Sequence, residues 1–324
     1  MSYNVNTTKN GTQPSSCSSN PLAEKIGITF AYCLIFIVSL AGNTLIGIIV
    51  YKTKPMRKPI NFFMVNMAMS DLLVPIIWIP RGIQKLYTDS WLIGGPLGQA
   101  LRKLVSFLKD VSVSVSIQSL VLIAVDRFGA VVFPLRSPLI RSKMCSSIII
   151  ATWIVAIAVN SPKVLIYRLV EYPEKLVCKR LWNEAFEESS SYENYLLSFT
   201  IVIMFIPLVL IAILYIIIYV KLKSQNSQIP GEQLACAEQQ RQQRERNVLK
   251  MAIAIVLGFA MCWLPLAIWI IVVSFTDTII WLNCAFRYLS YVVNFMALVN
   301  CAINPCICFI FSRNYRKELK ALLR

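Results

Sequence analysis

An apolar run in "SIQSLVLIAVDRFGAVVFPLR", residues 116–136, ends abruptly in the charged pair Asp126-Arg127. An adjacent acid and base at the edge of hydrocarbon cost energy unless they pair, switch or bind something. Lys109, Ser112, Ser116, Leu120, Ile123 and Arg127 are spaced along this segment. At about 100° per residue, spacings of seven and eleven drift only about 20°, so the six form one helical stripe. Lys109 and Arg127 lie about 27 Å apart along it at 1.5 Å per residue. A charged stripe on a membrane helix faces the protein interior or a wet cavity. The chemistry on offer is charge recognition at one end and a charge switch at the other. Catalysis is not indicated, because the chain has no histidine and no nucleophile–base pair stands out.

A membrane must position that stripe. Of 324 residues, 57% are hydrophobic and only 15% charged, too little polar surface to cover soluble domains. Apolar runs recur at 26–50, 62–79, 111–133, 148–165, 196–220, 248–275 and 281–311. Most reach the roughly 20 residues that a helix needs to cross hydrocarbon. The pattern predicts an all-α membrane protein. Its seven-helix bundle spans 26–311, after an amino-terminal segment 1–25 and before a short amphipathic helix and tail at 312–324. No inverted repeat of broken helices points to a transporter.

Charge sets the orientation. Lys52, Lys54, Arg57 and Lys58 follow the first run; Arg127, Arg136, Arg141 and Lys143 follow the third. Segment 221–250 holds six bases against three acids, whereas 163–193 holds five bases against six acids. Bases on alternate links place the amino terminus outside and the carboxyl terminus in the cytoplasm. The formal charge of +16 is then a topology signal and not a nucleic-acid footprint. Asn6 and Asn10 open two glycosylation acceptor triplets in the outer segment. No apolar signal region precedes residue 26, so the first helix is expected to direct its own insertion.

Seven short motifs then fall in order: Gly42 in "GNTLI", Asp71 in "NMAMSDLL", Asp126-Arg127-Phe128, Trp153, Pro207, "FAMCWLP" at 259–265 and "NPCIC" at 304–308. The chain thereby resembles the rhodopsin-like (class A) G-protein-coupled receptors over nearly its whole length. "AVDRFGAVVFPLR" looks like the neuropeptide branch, which holds the neuropeptide FF, tachykinin, orexin and galanin receptors. The resemblance implies a plasma-membrane receptor, not an enzyme, with an extracellular ligand, a cytoplasmic heterotrimeric G protein and membrane lipids as partners. It implies that Arg127 is restrained by Asp126 and by Glu245 on the sixth helix until that helix swings outward. Phe128, Leu135 and Tyr215 complete the switch and the G-protein contact. Asp71, Ser116, Asn300 and Asn304 match the positions that hold an inactive-state sodium ion, no other cofactor being expected. A water-filled network around a protonated Asp71 is the alternative. Ile117, Pro207 and Phe259 match an apolar relay. Gln84, Lys109, Asp110, Val113, Trp263, Ile270, Tyr288 and Tyr291 match pocket positions.

Three departures stand out. Arg102 occupies the place of the cysteine that usually bridges to the position of Cys178, and Cys308 that of a tyrosine; Phe128 replaces a third-helix tyrosine. Cys17, Cys178 and Cys284 are the outer cysteines, and Cys17 is left to pair with either Cys178 or Cys284. Lys109 stands where amine receptors of the family place an acid, and would repel a ligand ammonium. Asp110 is about 100° around the helix from it. No seventh-helix lysine is present for retinal. The long acidic outer link, with Glu184, Glu187, Glu188 and Glu193, suits a basic or amidated peptide. A small-molecule receptor, such as one for a biogenic amine, and a weakly signalling decoy are the alternatives.

Overall fold

The computed structural model describes residues 21–88, 92–134, 138–172, 175–180, 182, 192–225, 232–274 and 284–322. Among these, seven helices are long and apolar enough to cross a membrane. They are α1 (Pro21–Lys52), α2 (Pro59–Tyr87), α3 (Gly95–Val132), α4 (Ser142–Ile166), α5 (Asn194–Ser224), α6 (Glu232–Ser274) and α7 (Cys284–Phe311). The apolar part of α6 is Arg246–Val273, and a short α8 (Arg313–Leu322) follows α7. Helix α3 is the central post, in contact with α2, α4, α5 and α6, while α1 and α6 flank α7.

The expectation of an all-helical chain needs one addition. Strands β1 (Tyr167–Tyr172) and β2 (Lys175–Arg180) form an antiparallel hairpin in the link after α4, with Val170 opposite Val177. A β-branched pair at the centre of two short segments favours that pairing. The hairpin touches α3, so it lies over the outer end of the bundle.

Lipid cannot hydrogen-bond a backbone, so every break in a helix must be repaired from within. Pro305 in α7 has no N–H, which orphans the carbonyl of Cys301 one turn earlier. Asn43 Nδ2 and Ser39 Oγ of α1 donate to that carbonyl at 2.8 and 2.9 Å. Gly42 lets α1 approach this closely, since a Cβ there would meet the Pro305 ring at 2.7 Å. The "GNTLI" and "NPCIC" motifs are therefore two sides of one joint. A second joint ties α2, α3 and α4. Trp153 Nε1 donates to Asn66 Oδ1 at 2.9 Å, and Asn66 Nδ2 donates to Ser119 and Thr152 at 3.0 and 3.1 Å. Two π-helical turns, Val74–Trp78 in α2 and Ile201–Phe205 ahead of Pro207 in α5, rotate the outer halves of those helices.

Candidate functional site

At mid-bundle, Asp71 is 1% exposed. Ser116 Oγ donates to its Oδ1 at 2.9 Å and Asn304 Nδ2 to its Oδ2 at 2.8 Å, so one carboxylate joins α2, α3 and α7. Ser70 Oγ stands 3.0 Å from Ser116 Oγ. Asn300 lies one turn from Asn304 on α7. Oδ1 of each is buried and has no hydrogen-bond partner among the described residues. A buried carboxylate with two orphaned amide oxygens nearby is a donor set suited to a hard cation.

Towards the outer side, Lys109 and Asp110 diverge as adjacent helical residues must. Lys109 points towards α2, its Nζ 5.8 Å from the centre of the Trp78 ring. No carboxylate among the described residues reaches it. Trp78 is braced edge-on by Tyr32 of α1, which stacks on Phe295 of α7. Asp110 points the other way, to α4, where Lys163 Nζ donates to its Oδ2 at 2.9 Å. Lys163 is the residue that sequence reasoning missed. Counting charges assigned it to the outer link, but it closes α4 and is 5% exposed. A lone lysine inside the apolar run 148–165 was the signal available.

The other expected pocket residues divide. Val113 is buried, and Trp263 and Ile270 share a face of α6, with Trp263 tilted against Phe259 at 6.2 Å. Gln84 Oε1 accepts from Arg81 at 2.9 Å. Tyr288 and Tyr291 stand near the start of α7. Both are exposed, at 39% and 54%. Tyr291 lies one turn above Phe295, whose ring packs on α1, so it occupies the α1 side of α7 and not the side facing α3. Ile117 and Phe259 of the relay are fully buried in the main core, and Pro207 is half-buried on α5.

At the inner side, Arg127 donates to Asp126 Oδ2 through Nε at 3.1 Å and Nη2 at 2.5 Å. Gly129 admits Leu139 of the following link, whose side chain would stand 2.7 Å from an added Cβ. Phe128 meets Phe133 edge-on at 5.9 Å. Tyr215 is buried and its hydroxyl has no partner among the described residues. Glu245 belongs to α6, but its side chain lies outside the described residues, as do Leu135, Asn6, Asn10 and Cys17. Cys308 is fully buried. Near it, Tyr315 of α8 packs on Phe309 and its hydroxyl bonds Asn61 Oδ1 of α2 at 3.3 Å. Burial pushes the Tyr315 phenol well above its ordinary range, so it remains a hydrogen-bond donor at physiological pH.

Cys284 is disulfide-bonded, to a partner outside the described side chains. The pairing that leaves Cys284 reduced is thereby excluded. Arg102 donates to Ser106 Oγ at 2.6 Å on α3, which the hairpin carrying Cys178 touches. Arg102→Cys is expected to form a second, reduction-sensitive bridge to Cys178 and to raise surface expression. Non-reducing peptide mapping checks it. Loss of the Cys284 bond in that variant would mean that Cys178 was already its partner.

Residues 42–307 match the family model described as 7 transmembrane receptor (rhodopsin family). The chain is 31% identical to a QRFP-like peptide receptor of Branchiostoma floridae, over 94% of this chain and 79% of that protein. It is 30% identical to neuropeptide Y receptor type 2 of Cavia porcellus, over 96% of this chain and 80% of that protein. Neuropeptide FF receptor 1 of Rattus norvegicus is 29% identical, over 91% of this chain and 69% of that protein.

Proposed function

Since the chain belongs to the rhodopsin family of seven-transmembrane receptors, we propose that it receives an extracellular peptide and passes the signal to a cytoplasmic heterotrimeric G protein. The amino terminus lies outside the plasma membrane in this reading. Peptide binding favours a state in which α6 moves outward, a two-state change driven by differential affinity.

The observation that carries a peptide over an amine is the pairing of Asp110 with Lys163. The acid on the outer half of α3 is already neutralised, and Lys109 beside it points the other way, over Trp78. That ammonium suits a backbone carbonyl or a carboxylate of the peptide. The acidic outer link, with Glu184, Glu187, Glu188 and Glu193, attracts the peptide's basic groups. The test is a screen of basic neuropeptides, each amidated and as the free acid, read by nucleotide exchange on a panel of G proteins. Exchange evoked by a peptide is the expected result. Specific binding without exchange on any G protein would identify a decoy. A response to a biogenic amine at low concentration would sink the peptide reading.

Asp71, Ser116, Asn300 and Asn304 are the residues that would hold a sodium ion, which would supply the counter-charge for Asp71. The orphaned Asn300 and Asn304 oxygens support this. Replacing choline chloride by sodium chloride at constant ionic strength is expected to lower peptide affinity in the wild type and not in Asp71→Asn. Equal affinity in both salts for the wild type would favour the water-filled alternative.

A further inference from the structure

The outer ends of α3, α4 and α5 enclose a charge that neither Lys109 nor the inner switch uses. Lys163 is almost completely buried, and two unlike groups meet its ammonium. Asp110 Oδ2 accepts from Nζ at 2.9 Å, and the Phe199 ring faces Nζ with its centre 3.8 Å away. Behind Phe199 the aromatic wall continues. Tyr195 packs on Phe199 at 6.1 Å, and Trp182 packs on Tyr195 and Tyr192 at 5.3 and 5.7 Å. The Tyr195 hydroxyl is buried with no partner among the described residues, a further acceptor left unused.

A carboxylate opposite an aromatic face is the chemistry that recognises ammonium ions. The carboxylate supplies a charge-assisted hydrogen bond, and the ring quadrupole attracts the cation's exposed side. An ion pair made only to join α3 to α4 needs the carboxylate but not the wall of rings. We infer that the outer ends of α3 and α5 form an ammonium-binding site, and that Lys163 is its tethered resident. In the native chain the site is filled, so a ligand cation cannot reach Asp110. Without the lysine amine, the same site takes a free primary alkylammonium ion. Its ligand class is opposite in charge to that of Lys109, one residue away on α3.

The test uses the purified full chain carrying Lys163→Ala, titrated with propylammonium chloride against sodium chloride at equal ionic strength. Thermal unfolding is followed by tryptophan fluorescence. A saturable rise in Tm of about 2–4 °C is expected. It should be absent from the wild type and from Lys163→Ala/Asp110→Asn. No amine-specific rise in Lys163→Ala, or an equal rise in the double variant, overturns the inference. If Lys163→Ala does not reach the cell surface, growth with propylammonium decides. Recovery of surface receptor supports the site, and failure of the amine to restore it overturns it. Neither arm uses a peptide or a G protein, so the outcome is independent of the function proposed above.

Discussion

Arg127→Ala is expected to reduce G-protein nucleotide exchange to the level of membranes without receptor, while leaving ligand binding unchanged. The side chain is tied to Asp126 through two nitrogens at the inner end of α3, about 27 Å along the helix from Lys109. A guanidinium with five fixed donors holds a carboxylate in one state and can offer the same donors to another acceptor in the next. If Arg127 is the group that exchanges partners, removing it disables the switch without touching the outer half of α3. The buried Tyr215 hydroxyl, without a partner among the described residues, would then be a further acceptor. Glu245→Ala is the complementary change. If Glu245 holds Arg127 in the resting state, the loss of a charge-assisted hydrogen bond shifts the equilibrium by about 1.5–3 kcal/mol. Ligand-free exchange should then rise about tenfold or more, up to the receptor's maximum. A fall in basal exchange in Glu245→Ala, with surface level unchanged, counts against the restraint.

Lys109→Gln should weaken peptide potency by about ten- to a hundred-fold, the cost of one charge-assisted hydrogen bond of 1.5–3 kcal/mol. Surface expression should not fall. In the ligand-free chain the ammonium has only the face of Trp78, at 5.8 Å, among the described residues. Glutamine keeps most of the reach and hydrogen-bonding capacity and removes the charge, so the change isolates the electrostatic part of recognition. Lys109→Asp should be worse for a peptide, because it sets a like charge against the same carbonyl or carboxylate. It also places an unpaired acid on the inward stripe, and a weak response to biogenic amines is the expected gain. Asp110 cannot provide that response in the native chain, being already paired with Lys163. Unchanged potency in Lys109→Gln would remove Lys109 from the pocket.

Membrane architecture left a strong trace in the order of residues. Hydrocarbon demands runs of about 20 apolar residues, so the number of spans follows from local composition. The helical period alone placed Lys109, Ser116 and Arg127 on one stripe and separated Asp110 from Lys109. Pairings that span long stretches of chain have no such local signal. Asp110 meets Lys163 from 53 residues away, and Asn43 meets the carbonyl of Cys301 from 258. Tyr291 fits a pocket position by spacing, yet the stacking of Phe295 on Tyr32 fixes that face of α7 against α1. The pairing of β1 with β2 was hidden for a similar reason, since the strands gain stability from each other and from the helix ends beneath. Sequence determined how many spans the chain has and which residues share a helical face. Only tertiary packing decided that Lys163 meets Asp110 while Lys109 meets the Trp78 face, because away from water a charged group depends on whatever partner the folded helices bring near it.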